Sequence, residues 1–156
     1  MSALDLPAPL RDDLHPLETT AAVVRLDDPD SLRLVGADRI AYLNGRITCD
    51  LAALAAGAGR LGFLTARKGQ VLASARVLAT DDALELTLPA GQGAAMREHL
   101  GTYIVTEDVR IETPSRATFL VIGPDAPAFA AAHLGVDLAD ADPYAHGPAT
   151  GADVGA

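Results

Sequence analysis

The sequence predicts an α+β domain, a largely antiparallel β-sheet with helices packed on it. Three observations carry this prediction. Short apolar runs of period two outnumber amphipathic stretches, and the segments joining them are rich in Asp, Pro and Gly. No run shows the strand-helix-strand order of a parallel βαβ unit. With 156 residues and 49% apolar content, the chain can bury the core of one ordinary domain. Only 4% of the residues are aromatic, so that core rests on Leu, Val, Ile and Ala.

Residues 1–20 hold Pro7, Pro9 and Pro16 among charges and read as a flexible N-terminal arm. Residues 22–26 and 32–36 read as two strands of a hairpin, joined by the turn residues Asp27, Asp28, Pro29 and Asp30. Residues 38–44 carry Ile40, Ala41 and Leu43 near helical spacing and stop at Gly45. A second short helix is expected over 50–56, capped by Thr48 or Asp50 and stopped at Gly57.

From 60 to 80 the pattern is strand-like and breaks at Lys68-Gly69. Val71, Ala73, Ala75 and Val77 share one face of it, and Leu72, Ser74, Arg76 and Leu78 the other. Residues 83–88 form a further strand. Met96, His99, Leu100 and Tyr103 recur at helical spacing within 92–104. Strands at 109–112 and 118–122 follow, and Gly123-Pro124-Asp125 opens an Ala-rich helix ending near Leu134 and Gly135. The expected order is β-β-α-β-β-β-α-β-β-α. A folded domain over 21–135 is followed by a weakly structured tail over 136–156, read as the start of a truncated second part.

Composition excludes several function classes. A net charge of −9 opposes bulk binding to nucleic acid or anionic membranes. No apolar run approaches the roughly 20 residues of a membrane helix, and the first residues lack the pattern of a signal peptide, so a cytoplasmic protein is expected. The single cysteine, Cys49, forms no internal disulfide, and no CxxC or close His pair offers a metal site. Gly57-Ala58-Gly59-Arg60-Leu61-Gly62 satisfies the dinucleotide-binding pattern of glycines. A strand follows it rather than a helix, so it reads as a loop. His15, His99, His133 and His146 are scattered, with His99 on an apolar helix stripe, and Cys49 reads as a half-buried structural residue.

The charge is unevenly spread. Between Asp50 and Asp81 there is no carboxylate, and Arg60, Arg67, Lys68 and Arg76 make the stretch +4 while the remainder is −13. Arg76 shares a strand face with Ser74, and Lys68-Gly69 marks a sharp bend. These groups are expected to converge on a ligand bearing carboxylate or phosphate. The alternative is a set of exposed, Arg-rich strands paired with acidic loops.

Four pieces of the sequence, taken together in order and spacing, resemble the N-terminal half of the YgfZ/GcvT family. They are Leu34-x-Gly36-x-Asp38-Arg39-x-x-x-Leu43-x-Gly45-x-x-Thr48-x-Asp50, then Gly62-x-x-Thr65-x-x-Lys68-Gly69-x-Val71, then Leu88-Pro89, and Ile122-Gly123-Pro124-Asp125-Ala126. The family comprises folate-binding proteins related to the glycine-cleavage T-protein. The resemblance spans about residues 22 to 134 and implies a folate-binding α+β domain of the kind found as the first domain of these proteins. It further implies tetrahydrofolate or a derivative as the ligand, whose glutamate tail suits the basic stretch.

On that resemblance, Lys68 and Arg76 lie near ligand carboxylates, Thr65, Gly69 and Gln70 line the loop, and Ser74 occupies the place of a lost acid. In the T-protein branch the strand after Gly-x-Val carries an aspartate near the reacting folate nitrogen. Ala73 and Ser74 stand at the matching positions here. The Lys-Gly-x-Val-x-x-x-x-Arg pattern is similar to the YgfZ branch, which implies a role in iron-sulfur cluster assembly or repair, and through it in tRNA modification. Iron-sulfur assembly proteins are then the expected partners. The Lys-Gly-Cys hallmark of that branch lies in its second half, and Cys49 does not match it. Two other readings stay open: a folate-dependent aminomethyl or one-carbon transferase, and a docking domain that has lost folate binding.

Overall fold

The computed structural model describes residues 17–26, 29–137 and 141–148. Most of the expected N-terminal arm, residues 1–16, lies outside them, as do Asp27 and Asp28 and residues 138–140 and 149–156 of the tail. The elements are β1 (Ala22–Leu26), β2 (Asp30–Val35), α1 (Arg39–Asn44), β3 (Gly59–Thr65), β4 (Val71–Ala79), β5 (Ala83–Leu88), α2 (Gly93–Gly101), β6 (Arg110–Glu112), β7 (Thr118–Ile122) and α3 (Ala126–Phe129). A π-helical turn, Ala130–Leu134, prolongs α3 and ends on Gly135 at φ 64°. This is the element order that the sequence predicts.

The chain divides into two compact units. The larger comprises Asp27–Thr118 with Asp142–Gly147, and the smaller comprises Met1–Leu26, Phe119–Ala141 and Pro148–Ala156. The expected 21–135 segment is therefore shared between them, and part of the expected tail belongs to the larger unit.

In the larger unit five strands form a sheet in the order β3-β4-β5-β2-β6, every neighbour antiparallel. Period-two alternation decides its faces. Leu32 and Leu34 of β2, Ala73, Ala75, Val77 and Ala79 of β4, and Leu84, Leu86 and Leu88 of β5 are buried on one side. Tyr42 and Leu43 of α1 and Met96 and Leu100 of α2 join the same cluster, giving a helix layer on one sheet face. Asp30 at the start of β2 accepts the Gly93 N–H at 2.7 Å and so caps α2 from a distant strand.

On the opposite face Arg33 is the hub of an ionic network. It contacts Asp82 at 2.6 Å, Glu85 at 3.1 Å and Glu112 at 3.0 Å, and Arg116 reaches Glu85 at 2.9 Å. Hydrogen bonds to Glu112 and then Asp82 raise the Arg33 pKa. Hydrogen bonds from Thr80 and then Arg33 hold Asp82 below the usual carboxylate range.

Three expectations are corrected. The strands at 22–26 and 32–36 do not form a hairpin. β2 has β5 on one side and β6 on the other, so both its edges are filled, and β1 pairs with β7 in a separate two-stranded sheet. The segment 50–56 is not helical. Asn44 Oδ1 accepts the Leu51 N–H at 2.6 Å, Asp50 Oδ1 accepts that of Ala52 at 2.9 Å, and Leu54 N bonds Leu51 O at 3.0 Å. Two turns thereby bury Leu51 and Leu54 at the spacing that mimics a helix. Val71 leaves the buried face of β4, because the register slips between Leu64 and Thr65 and makes Leu72 the extra residue of a bulge.

The glycines of the dinucleotide-like pattern are structural, but only Gly57 and Ala58 lie in the expected loop, and Gly59 to Gly62 belong to β3. Gly59 opens β3, and a Cβ on Gly62 would lie 2.7 Å from Cys49 Sγ and 2.8 Å from Ile47.

Each unit contains the same strand-Gly-x-Asp-helix device. Gly36 follows β2 at φ +116°, and a Cβ there would lie 2.1 Å from Asp108 O, the carbonyl that also accepts the Asp38 N–H at 3.2 Å. Gly123 follows β7 at φ +123°, a Cβ there would lie 2.2 Å from Thr20 O, and that carbonyl accepts the Asp125 N–H at 3.2 Å. Asp38 O then accepts from Tyr42 at 2.8 Å, and Asp125 O from Phe129 at 2.9 Å, which starts α1 and α3 alike.

Gly36→Ala must clash with backbone and is expected to cost about 3 kcal/mol or more in urea unfolding. Gly69→Ala, at φ +79° in open space, carries only the left-handed penalty of about 1 kcal/mol. Arg33→Gln is expected to lower Tm at pH 7. Because Asp82 titrates below its unfolded value, its contribution is present at neutral pH, and the gap between the two proteins closes as pH falls below about 4.

Candidate functional site

The six residues singled out in the sequence fall in two places. β3 and β4 form a hairpin whose tip turns through Ala66, Arg67, Lys68 and Gly69, with Ala66 N bonding Gln70 O and Gly69 N bonding Ala66 O, both at 2.8 Å. Lys68, Gly69 and Gln70 are exposed at this tip, and Thr65 is half-buried at the end of β3. Ser74 and Arg76 lie further along β4 on the face opposite the core, beside Phe63 and Leu61 of β3. At 3.4 Å per residue, Arg76 stands about 17 Å along the strand from Val71, so it does not share one carboxylate with Lys68. Lys68 and Arg76, expected to converge, therefore stand at separate places along the hairpin. Arg76 instead approaches the Tyr144 ring, 5.9 Å from its centroid.

A groove of about 530 Å³ does form beside the hairpin tip. Thr65, Ala66, Arg67 and Gly69 provide one wall, Gly45 and Arg46 after α1 a second, and His99 and Tyr103 of α2 and its exit a third. Arg46, which the sequence reading passed over, is one of its cations. Its guanidinium lies 3.8 Å from the Tyr42 ring centroid and 5.6 Å from that of Tyr103, and its Nη1 donates to Tyr42 O at 2.7 Å. Arg46 O accepts the Thr65 N–H at 3.1 Å, which ties this residue to the hairpin. The signal in the sequence was Tyr42-x-x-x-Arg46, the i,i+4 spacing that stacks a guanidinium on a ring.

Tyr42 is the anchor beneath the groove. Its ring is buried, its hydroxyl donates to Leu100 O and so joins α1 to α2, and burial pushes its pKa up. His99 packs edge-on to Tyr103 with centroids 5.3 Å apart. Nearby, Glu107 accepts the N–H groups of Val105 at 2.9 Å and Thr106 at 3.0 Å, which hold its carboxyl below the usual range, and Arg46 adds to that effect. No carboxylate lines the groove itself. Its chemistry therefore suits an anion with a flat or apolar portion.

Burial pushes the Cys49 thiol up, away from the thiolate that nucleophilic or redox chemistry needs. Among the described residues no group of three or more His, Cys, Asp or Glu is placed to hold a metal ion, and no helix is long and apolar enough to cross a membrane.

No family model matches the sequence. Among solved structures, the chain is similar to the glycine cleavage system aminomethyltransferase T from Bartonella henselae, with a TM-score of 0.71 at 20% identity. The match covers 78% of this chain and 34% of that one. The fold is aminomethyltransferase-like. This agrees with the α+β, largely antiparallel architecture expected from the sequence, and the chain spans about a third of the length of the matched protein.

Tyr42→Phe removes the hydroxyl that joins α1 to Leu100 O and leaves that carbonyl with the Tyr103 N–H at 3.2 Å, and it is expected to cost about 1 kcal/mol in denaturant unfolding, with the sheet intact by circular dichroism.

Proposed function

We propose that the larger unit binds tetrahydrofolate or a derivative, and that the groove beside the β3–β4 hairpin takes the carboxylates of its glutamate tail. The observation that carries this reading is the gathering of Arg46 and Arg67 with Tyr103 and Thr65 in a groove lined by no carboxylate. Lys68 and Gln70 stand at the adjacent tip, where they add charge and a donor at its mouth. A guanidinium held by ring stacking is pre-organised for bidentate contact with a carboxylate. The aminomethyltransferase-like fold supports the choice of folate over other dicarboxylates.

The groove residues fit the tail rather than the pteridine, whose amino-substituted edge calls for an acidic or carbonyl acceptor. Ser74 and Arg76, on the open face of β4, remain candidates for a separate part of the ligand. Bound folate would supply a one-carbon carrier. The residues on this chain would bind and orient it.

The finer reading is a cytoplasmic, YgfZ-like protein of iron-sulfur cluster assembly or repair, with cluster-assembly proteins as partners and an effect on tRNA modification through them. Two residues favour it over aminomethyl transfer. Ala73 is buried in the core, and Ser74 replaces a carboxylate with a neutral hydroxyl. Neither can act as an acid or base toward a folate nitrogen at neutral pH.

The test is thermal unfolding with a stable reduced folate, with free glutamate as the control. Ligand at about 100 times its Kd should stabilise the native state by roughly 2.7 kcal/mol. The shift is expected to be folate-specific, lost in Arg46→Ala and Arg67→Ala, and kept in Phe119→Ser. No shift, or one indifferent to both arginines, would overturn the assignment. Turnover of an aminomethyl donor with tetrahydrofolate would replace the YgfZ-like reading with the transferase.

A further inference from the structure

We propose that His99 is a further ligand-binding residue of the hairpin-tip groove, and that the groove takes the carboxylates of its ligand together with a proton on the His99 ring; the proposal rests on the folate reading above. The lining of the groove holds two permanent cations, Arg46 and Arg67, one imidazole, His99, and no carboxylate. Of these side chains, His99 alone changes its charge near neutral pH. It stands half-buried in the last turn of α2. Four residues on, Tyr103 packs edge-on to it with centroids 5.3 Å apart, and the Arg46 guanidinium lies 5.6 Å from the centroid of that same Tyr103 ring. One aromatic side chain thus has a guanidinium and an imidazole as neighbours in the groove wall.

A glutamate tail brings two carboxylates to this wall, and each negative charge placed there favours the imidazolium over the neutral ring. The imidazolium donates from both ring nitrogens, whereas the neutral ring donates from one, so the protonated form offers the ligand a charge-assisted hydrogen bond. Ligand and proton therefore bind together, and affinity rises as pH falls. The charged groups on the neighbouring elements do not supply this response. On α2, Arg97 and Glu98 line a different cavity, with Ile104 and Ile111. On the hairpin, Arg67 and the exposed tip residue Lys68 stay cationic throughout the neutral range, as does Arg46 after α1. The Tyr42 hydroxyl is engaged by Leu100 O. In the loop after α2, Glu107 accepts the N–H groups of Val105 and Thr106, which hold its carboxyl ionised well below neutral pH.

The test is calorimetric titration of the full chain with 5-formyltetrahydrofolate, whose carboxylates stay ionised across the neutral range. Affinity is expected to rise about three- to tenfold from about pH 8 to about pH 6, with proton uptake seen when the heats are compared in buffers of different ionisation enthalpy. His99→Gln, neutral at every pH, is expected to flatten that ratio and abolish the uptake. Should this variant fail to fold, nuclear magnetic resonance of the wild-type chain decides. The His99 ring, assigned through its contact with Tyr103, is expected to titrate at higher pH with the folate bound than without it. Binding that is indifferent to pH yet lost in Arg46→Ala would overturn the role of His99 and leave the folate reading standing. A pH dependence that persists in His99→Gln, or a His99 ring whose titration the folate does not move, would overturn it equally. Absence of binding at every pH would overturn the folate reading and this proposal together.

Discussion

The larger unit depends on one strand being used on all four sides. β2 pairs along both edges, buries Leu32 and Leu34 completely against the helix layer, and presents Arg33 to carboxylates on the other face. Its end is held by the approach of the Gly36 backbone to Asp108, which leaves no room for a side chain. Its start caps α2 through Asp30. A strand constrained in this way fixes where α1 begins, where α2 begins and how far β5 can slide. The candidate groove stands on all three.

The anion site proposed for the groove would sit in a protein with a net charge of −9. Local field matters more than net charge at contact distance, because screening removes the acidic remainder beyond about 8–10 Å at ordinary salt. The stretch without carboxylates supplies Arg67 and Lys68 on a hairpin tip, and α1 delivers Arg46 from outside that stretch. Tyr42 connects the two requirements. Its hydroxyl ties α1 to α2, while its ring supports the guanidinium that faces the groove. One buried side chain therefore serves both the helix packing and the proposed site.

Much of the resemblance motif turns out to serve the fold. Gly36 and Asp38 bind the segment before β6, Arg39 reaches Gly36 O and Asp81 O, and Thr48 and Asp50 satisfy N–H groups of Phe63 and Ala52. Such residues identify an architecture at low identity because each answers a backbone demand that few residue types can meet. They say little about chemistry. The residues with chemical promise, Arg46, Arg67 and Tyr103, lie between or outside the motif positions.

The sequence by itself determined the α+β class, the order of ten elements, the β3–β4 hairpin, the inward face of most of β4 and the place of the cationic hairpin tip. These follow from local physics: period-two alternation, glycine at positive φ, and the absence of acids between Asp50 and Asp81. Tertiary structure alone decided that β1 leaves β2 for β7, that 50–56 turns instead of coiling, that a bulge turns Val71 outward, and that Arg46 rather than Arg76 joins the tip. Each of these depends on partners dozens of residues away, namely edges already filled by β5 and β6, and a helix end packed under Tyr103. Strand pairing and side-chain convergence are non-local, and a one-dimensional pattern carries no record of which neighbour takes an open edge.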